Sequence, residues 1–174
     1  KPVQERVAEI VGRHRRVLDE SGVSNAAALV LDVPTGEVLA YVGNQWPPRG
    51  EDEHGEHVDV VPAARSTGSI LKPFLYAAML DAGEILPGTL VADVPTQYGG
   101  YMPENFDHGY RGAVPAEVAL AQSLNVPSVR MLRQHGVQRF YDYLRQFGMS
   151  TLTRQPEDYG LTLILGGAEA TLRD

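Results

Sequence analysis

The segment from Arg65 to Leu80, RSTGSILKPFLYAAML, constrains the fold more than any other part of the sequence. A glycine-led loop opens there into a helix that is apolar on nearly every side, apart from one serine and one lysine. Helices that are apolar all round are buried in a core. We therefore expect a central helix that carries Ser69 and Lys72, with the remaining elements packed around it.

Ser69 and Lys72 are three residues apart, so on a helix their Cβ atoms would lie about 5–6 Å apart on one face. A serine hydroxyl with an amine beside it is a candidate nucleophile with its base. Burial weakens the preference of a lysine for its charged form, and the neutral amine can accept a proton. The spacing therefore predicts Ser69 as nucleophile and Lys72 as base.

A structural interpretation of the same residues stands beside the chemical one. Ser69 can be a helix N-cap behind Gly68, and Lys72 can extend its amine to solvent from the first turn, where Pro73 is also tolerated. Lysine usage favours the chemical interpretation, because Lys1 and Lys72 are the only lysines in a chain that otherwise uses arginine. Arginine stays protonated and cannot replace a lysine that acts as a base.

The composition narrows the class of protein. The 174 residues carry a net charge of −7 with both signs mixed, which argues against nucleic acid or an anionic membrane surface as the main partner. No apolar run is long enough to span a bilayer, and the absence of cysteine excludes disulfides and thiolate sites. The length suits one domain or most of a larger one, and the first residue is not methionine, so we expect a fragment.

Periodicity predicts helix and sheet in the first third of the chain and mostly helices afterwards. Residues 2–20 form an amphipathic pattern, and the apolar runs 26–32 and 37–42 predict a hairpin against which that helix packs. Residues 86–95 are expected to be extended or irregular, and further helices are expected at 115–122, 128–135 and 138–147.

Two polar loops contain groups that can bind ligands. His54 and His57 lie among carboxylates in the loop 43–55, but their spacing matches no metal-ligand pattern, so we favour a solvated loop over a metal site. The loop 99–112 holds two tyrosines, Asn105, Asp107 and Arg111. From composition alone, it is more readily interpreted as a surface loop that bonds to itself through Asx turns.

The tetrad SILK at 69–72 and the triad SLN at 123–125 are the first two of three elements that define penicillin-recognising serine acyl transferases. The segment RSTGSILKPF at 65–74, with NFD at 105–107, YRG at 110–112 and SLNVP at 123–127, resembles class A bifunctional penicillin-binding proteins, of the penicillin-binding protein 1C type. The segment DVPTGEVLAYVG at 32–43 is similar to the first hairpin of their transpeptidase domain. The resemblance covers residues 26–172.

The resemblance implies an α+β fold of the penicillin-binding-protein/β-lactamase type: a sheet covered by helices beside an all-helical part, with the Ser69 helix between them. The third element, a Lys-Thr-Gly strand, is missing, because neither lysine precedes Thr-Gly. In the family that strand follows a Gly-Gly segment like the one at 166–167. We therefore expect residues 1–174 to be the N-terminal part of one transpeptidase domain, truncated before the third motif, with its activity alone left open.

The resemblance also implies roles for individual residues. Ser69 would attack the carbonyl of the penultimate D-Ala of a peptidoglycan stem peptide and release the terminal D-Ala, while Lys72 takes its proton. Ser123 would pass a proton between Lys72 and the leaving or attacking amine, and Asn125 would bind the substrate backbone. The main-chain N–H of Ser69 would donate to the oxyanion. The further substrate-binding residues implied are Gly68, Tyr101, Asn105, Tyr110 and Arg111.

The implied partners are D-Ala-D-Ala stem peptides and β-lactam antibiotics, with no cofactor, no metal and no nucleic acid. The implied location is extracytoplasmic, at the periplasmic face of the inner membrane, with an anchor only in segments outside this chain. A class A β-lactamase would need a glutamate just before Leu124-Asn125, where Ser123 stands, so β-lactam hydrolysis is not supported. A non-catalytic penicillin-binding, sensing or scaffold module remains the alternative.

Overall fold

The computed structural model describes residues 1–44, 55 and 57–174. The chain divides into two compact units, one made of residues 1–64 with 171–173 and the other of residues 65–170 with 174.

The first unit consists of one long helix and a two-stranded hairpin. Helix α1 (Pro2–Glu20) is followed by strands β1 (Ala28–Leu31) and β2 (Val38–Val42), which pair antiparallel with Ala28 opposite Val42. The register shifts by one residue near the end of β1. The predicted helix and hairpin are both confirmed, because their apolar periods of about 3.6 and 2 residues are local properties of the sequence.

Polar side chains fix the helix and the turn of this unit. Gln4 of α1 lies against β2, where its amide donates to the main-chain oxygen of Tyr41 at 3.0 Å and its oxygen accepts from the Tyr41 N–H at 2.8 Å. In the turn, an Asp32 carboxylate oxygen accepts from the Thr35 N–H at 3.0 Å and from its hydroxyl at 2.7 Å. Gly36 supplies the left-handed φ of +71° that closes the hairpin.

The second unit holds most of the helices and two short strand pairs, with β3 antiparallel to β6 and β4 antiparallel to β5. In chain order its elements are β3 (Arg65–Ser66), α2 (Lys72–Asp81), β4 (Leu90–Asp93), β5 (Gly112–Pro115), α3 (Ala116–Ala121), α4 (Asn125–His135), α5 (Val137–Gln146), α6 (Pro156–Tyr159), a 3-10 helix (Gly160–Leu165) and β6 (Glu169–Ala170).

One hydrophobic core holds these helices together. It draws on α2, α4, α5 and the 3-10 helix, and its members include fully buried side chains that each contribute about 1.5–3 kcal/mol by leaving water. The largest of them are Leu75, Met79, Val129, Leu132, Phe140, Leu163 and Ile164. The predicted mostly helical part of the chain is therefore confirmed as one packed unit.

The helix that was predicted to carry Ser69 begins later than expected. Helix α2 starts at Lys72 with Leu71 as its N-cap, and Ser69 lies in the turn before it. The expectation of a helix buried on nearly every side is also wrong, because Ile70 and Phe74 are 62% and 40% exposed. Pro73 has no N–H to donate to the Ser69 oxygen four residues earlier, and the Lys72 N–H bonds that oxygen instead, so the chain forms a tight turn before the helix.

Helix α4, in contrast, begins three residues earlier than predicted, at Asn125. The sequence places a break at Pro127, but proline is tolerated in a first helical turn, where its missing N–H needs no partner. The main-chain N–H groups of Asn125 and Val126 are bonded instead by the side chain of Asn105. A residue from a distant loop thus decides where this helix starts.

Neither a membrane-spanning helix nor a metal-binding cluster is found among the described residues. In the stretches that the structure describes, no helix is long and apolar enough to cross a membrane. The same stretches contain no cluster of three metal-ligating side chains. His54, which was weighed as a metal ligand, lies outside the described residues.

Candidate active site

Lys72 is the centre of the site, because it is a buried cation held by three acceptors. Its side chain is only 3% exposed, and its amine donates to the Ser123 main-chain oxygen at 2.7 Å, the Ser123 hydroxyl at 3.1 Å and the Asn125 side-chain oxygen at 2.8 Å. Three acceptors match the three N–H donors of an ammonium. The two sequence elements that contain Lys72 and Ser123 therefore meet in space.

Burial lowers the pKa of the Lys72 amine to about 8. The cause is desolvation, which disfavours the charged form of a lysine. At pH 7 about one molecule in ten would then hold a neutral amine, which can accept a proton. The group is therefore poised to work as a base near neutral pH, as the apolar surroundings in the sequence predicted.

Ser69 lies in an exposed turn at the entrance to α2. The Ile70 N–H donates to Thr67 O and the Lys72 N–H donates to Ser69 O, both at 3.1 Å, so two tight turns precede the helix. The Ser69 hydroxyl makes no hydrogen bond to any residue that the structure describes. The N-cap interpretation is wrong, since Leu71 is the N-cap and no side chain caps the helix. The Lys72 amine, which is bonded to Ser123 and Asn125, likewise makes no hydrogen bond to the Ser69 hydroxyl.

The turn with Ser69 packs closely against the adjacent glycines Gly166 and Gly167 and the residue that follows them. The Ser66 hydroxyl donates to Gly166 O at 2.8 Å, and the Thr67 N–H donates to Ala168 O at 3.0 Å. A Cβ on Gly166 would lie 2.5 Å from the Ser66 oxygen, and one on Gly167 would lie 2.4 Å from the hydroxyl of Thr162. Two adjacent glycines before a short strand were the available signal for this close approach.

Ser123 occupies a backbone conformation that serines rarely adopt. Its φ is +51°, and it follows Gln122 at the end of α3. The Ser123 N–H donates to Leu120 O and the Leu124 N–H donates to Ala119 O, both at 2.9 Å, which is the Schellman pattern that normally has glycine at this position. The turn directs both the carbonyl and the hydroxyl of Ser123 to the Lys72 amine.

Asn125 is held from two sides. Its side-chain oxygen accepts from Lys72, and its side-chain nitrogen donates to Glu104 O at 2.8 Å. Its main-chain N–H donates to Asn105 at 2.9 Å. These bonds fix the amide orientation, because the nitrogen end has an acceptor and the oxygen end has a donor.

Asn105 lies behind the site rather than on its surface. It is 2% exposed, and its amide donates to an Asp93 carboxylate oxygen at 2.7 Å and to Gly109 O at 2.8 Å, while its oxygen accepts from Asn125 and Val126. Every polar atom of the side chain is thus bonded inside the protein. In this arrangement Asn105 orients the start of α4 and is not free to contact a ligand.

A carboxylate pair and one arginine extend this network to the surface. Asp93 is fully buried, and besides Asn105 it accepts from the Arg111 N–H at 3.0 Å. The Arg111 guanidinium lies 3.6 Å from Asp93 and 2.8 Å from Asp107. The Gly109 N–H, which donates to Asp107, and the Arg111 charge hold the pKa of the Asp107 carboxyl below its usual value. The loop therefore bonds to itself through an Asx turn, as predicted, and also supports the site.

The other predicted contact residues are not joined to Lys72 by any bond within the described part of the chain. Tyr101 packs against the core and pairs with Tyr98 through the main chain, and burial raises the pKa of its hydroxyl. Tyr110 is partly exposed, and Gly68 has a left-handed φ of +52° next to Ser69. A cavity of about 190 Å³ adjoins Ser123, with Gln122, Asp107, Arg111 and the fully exposed Phe106 among its lining.

Comparison with protein families and curated proteins gives consistent matches. Residues 26–162 match the family described as the penicillin binding protein transpeptidase domain. Penicillin-binding protein 1C of Escherichia coli (strain K12) is 41% identical over 151 residues, which cover 87% of this chain and 19% of that protein. Penicillin-binding protein 1F of Bacillus subtilis (strain 168) is 32% identical over 147 residues, which cover 84% of this chain and 19% of that protein. The chain thus spans about a fifth of these relatives.

Solved structures share the fold. PonA1 from Mycobacterium tuberculosis in complex with penicillin V matches with a TM-score of 0.76 and 25% identity, over 100% of this chain and 47% of that one. Penicillin-binding protein 1A from Haemophilus influenzae matches with a TM-score of 0.69 and 26% identity, over 86% of this chain and 22% of that one. The α+β fold predicted from the sequence is confirmed.

Proposed function

This chain belongs to the penicillin-binding protein transpeptidase domain family, and we propose that it supplies the nucleophile and proton-transfer groups of a peptidoglycan D,D-transpeptidase. Ser69 is the proposed nucleophile, Lys72 its base, and Ser123 and Asn125 the groups that hold and relay the proton. The observation that carries the proposal is the triple bonding of the buried Lys72 amine by Ser123 and Asn125.

The proposed acylation step uses the neutral form of Lys72. The amine takes the proton of the Ser69 hydroxyl as the serine oxygen attacks the carbonyl of the penultimate D-Ala, and the Ser69 main-chain N–H donates to the developing oxyanion. The protonated amine is then stabilised by the Ser123 and Asn125 oxygens. The Ser123 hydroxyl gives its proton to the leaving D-Ala amine and takes the proton of Lys72 in its place, as the bond between the acyl carbon and that amine breaks.

The second step reverses the proton path. The amine of a neighbouring stem peptide attacks the acyl-enzyme, Ser123 and Lys72 receive its proton, and the Ser69 oxygen leaves as a hydroxyl. A crosslink between two stem peptides forms. The pKa of Lys72 near 8 supports this scheme, since a group that both accepts and gives a proton works best when its pKa lies near the working pH.

The remaining substrate and partner assignments follow from the family. We propose stem peptides ending in D-Ala-D-Ala as substrates and β-lactam antibiotics as acylating inhibitors; a related protein, PonA1, forms a complex with penicillin V. We propose an extracytoplasmic site of action and that both units are parts of one transpeptidase domain, which is supported by a family match that runs through both. The substrate contacts that stay predictions are Gly68, Tyr101, Tyr110 and Arg111. We assign Asn105 the role of supporting Asn125 from behind the site.

The proposal is tested by incubating the chain with benzylpenicillin and measuring intact mass, followed by peptide mapping. We expect one adduct per chain on Ser69, its loss in Ser69→Ala and Lys72→Ala, and an unchanged yield in the control Ser21→Ala. An adduct on another residue, or an equal yield in Ser69→Ala, would overturn the assignment of the nucleophile. A stable Ser69 adduct with no transfer of a D-Ala-D-Ala peptide to an amine acceptor would favour the non-catalytic penicillin-binding module.

A further inference from the structure

A second cavity lies between β4 and α4 and shares no lining residue with the cavity beside Ser123. It has a volume of about 360 Å³, which is within the range of small-molecule sites. Two arginines of α4, Arg130 and Arg133, line it together with apolar side chains that include Ile85 and Leu90. No acidic side chain is among the described residues that line it.

The two arginines have no carboxylate partner within the described ranges. Arg130 donates from one terminal nitrogen to the Thr96 hydroxyl at 2.5 Å, while its Nε is buried and has no hydrogen-bond partner. Arg133 lies with its guanidinium 4.6 Å from the ring centre of Tyr98. The two guanidinium charges beside the cavity are therefore not neutralised by any carboxylate of the described residues.

The chemistry of the cavity specifies its ligand. Guanidinium groups bind carboxylates through two parallel hydrogen bonds, and the exposed Arg133 can offer such a pair to a ligand in the cavity. Leu90 is 67% exposed and offers an apolar surface beside the charges. These features favour a carboxylate carried on an aliphatic body.

We propose that the cavity between β4 and α4 binds the terminal carboxylate of a short peptide, with Arg130 and Arg133 holding the carboxylate and Leu90 contacting an aliphatic side chain. The site is separate from the proposed function, because none of Ser69, Lys72, Ser123 and Asn125 takes part in it. Two elements nevertheless connect it to the active site: β4 ends at Asp93, and α4 begins at Asn125.

The test uses N-acetyl-L-leucine as the probe, because it carries a carboxylate and an aliphatic side chain but no D-Ala-D-Ala. The Nε–Hε resonance of Arg130 is followed by nuclear magnetic resonance during titration. We expect a saturable shift of this resonance, and at least tenfold weaker probe binding, measured by calorimetry, in Arg130→Gln and in Arg133→Gln. Arg145→Gln, an exposed arginine on α5, is the control and should bind as the unmodified chain does.

Three results would overturn the proposal. The first is an equal shift with N-acetyl-L-leucinamide, which lacks the charge. The second is binding in Arg133→Gln within twofold of the unmodified chain; because Arg133 is exposed, this variant keeps the test valid even if Arg130→Gln fails to fold. The third is tighter binding of inorganic phosphate than of N-acetyl-L-leucine, which would assign the cavity to a small inorganic anion instead.

Discussion

The Asn105 side-chain oxygen lies 2.9 Å from the main-chain nitrogen of Asn125, although 20 residues separate the two in the sequence. This bond and the one to Val126 satisfy the first N–H groups of α4, which have no partner inside the helix. The helix therefore starts at Asn125, and its first side chain faces the Lys72 amine. A buried residue of a loop thus sets the geometry of the proposed proton relay.

Replacement of Asn105 should damage both stability and acylation. Asn105→Ala leaves the N–H groups of Asn125 and Val126 without their acceptor and removes one of the donors to Asp93, so we expect a loss of roughly 2–4 kcal/mol in the free energy of unfolding. Chemical denaturation measures that loss. A supporting role for Asn105 further predicts a shifted pH profile of benzylpenicillin acylation, because Asn125 would move relative to Lys72. The exposed Gln146→Ala, at the end of α5, is the control, and an unchanged pH profile in Asn105→Ala would contradict the role.

The acylation rate should follow the titration of Lys72. The pKa of its amine is lowered to about 8 by burial, and only the neutral form accepts the serine proton. We expect the rate to rise about tenfold per pH unit below pH 7 and to level off above pH 8.5. Stopped-flow measurements with a chromogenic β-lactam test this. A rate that is flat between pH 6 and pH 9 would exclude Lys72 as the base.

The same titration predicts how stability depends on pH. The Lys72 pKa is about 8 in the folded state and 10.5 as its ordinary value, so between these values the unfolded state binds more protons and stability rises with pH. Below pH 8 Lys72 is protonated in both the folded and the unfolded state, so the cost of burying its charge lowers the stability of the folded state in full. Relative to Lys72→Met, the free energy of unfolding should increase by about 2 kcal/mol from pH 7 to pH 9.5. A constant difference across that range would contradict the folded-state pKa.

The backbone of Ser123 predicts an order of stability between two variants. Ser123→Gly relieves the cost of φ +51°, whereas Ser123→Ala retains it, so the glycine variant should be more stable than the alanine variant by about 1 kcal/mol. Both variants lose the hydroxyl and should acylate more slowly than the unmodified chain. Urea unfolding compares the two stabilities. Equal values would show that the left-handed turn carries no strain.

The glycine brace behind Ser69 can be tested with a matched pair of substitutions. Gly166→Ala places a Cβ 2.5 Å from the Ser66 oxygen at a φ of +99°, whereas Gly148→Ala, at +101° in the turn that ends α5, meets open space. Both variants carry the cost of a left-handed alanine, and only the first adds a clash of about 1–3 kcal/mol. Gly166→Ala should therefore have the lower melting temperature of the two variants in thermal unfolding. The rate of acylation at Ser69 should also fall mainly in Gly166→Ala. Equal losses in the two variants would argue against the brace.

The sequence by itself determined the elements whose signals are local. The bounds of α1, the hairpin of β1 and β2, and the presence of helices near 115–122 and 138–147 follow from periodicity and turn residues within each segment. The sequence also predicted the two motifs that contain Lys72 and Ser123, because each is a short pattern of fixed residue types. These motifs in turn predicted the family. The burial of Lys72 followed from its apolar neighbours.

The tertiary structure decided what depends on contacts between distant segments. The bracing of the turn before α2, the start of α4 at Asn125 and the role of Gly166 rest on partners 20 to 101 residues away. Local helix propensity contributes only tenths of a kcal/mol per residue, whereas an unsatisfied buried N–H or a clashing Cβ costs about 1 kcal/mol or more. Contacts between distant segments therefore outweighed local propensity, and they fixed the boundaries of these helices and the residues that surround the Lys72 amine.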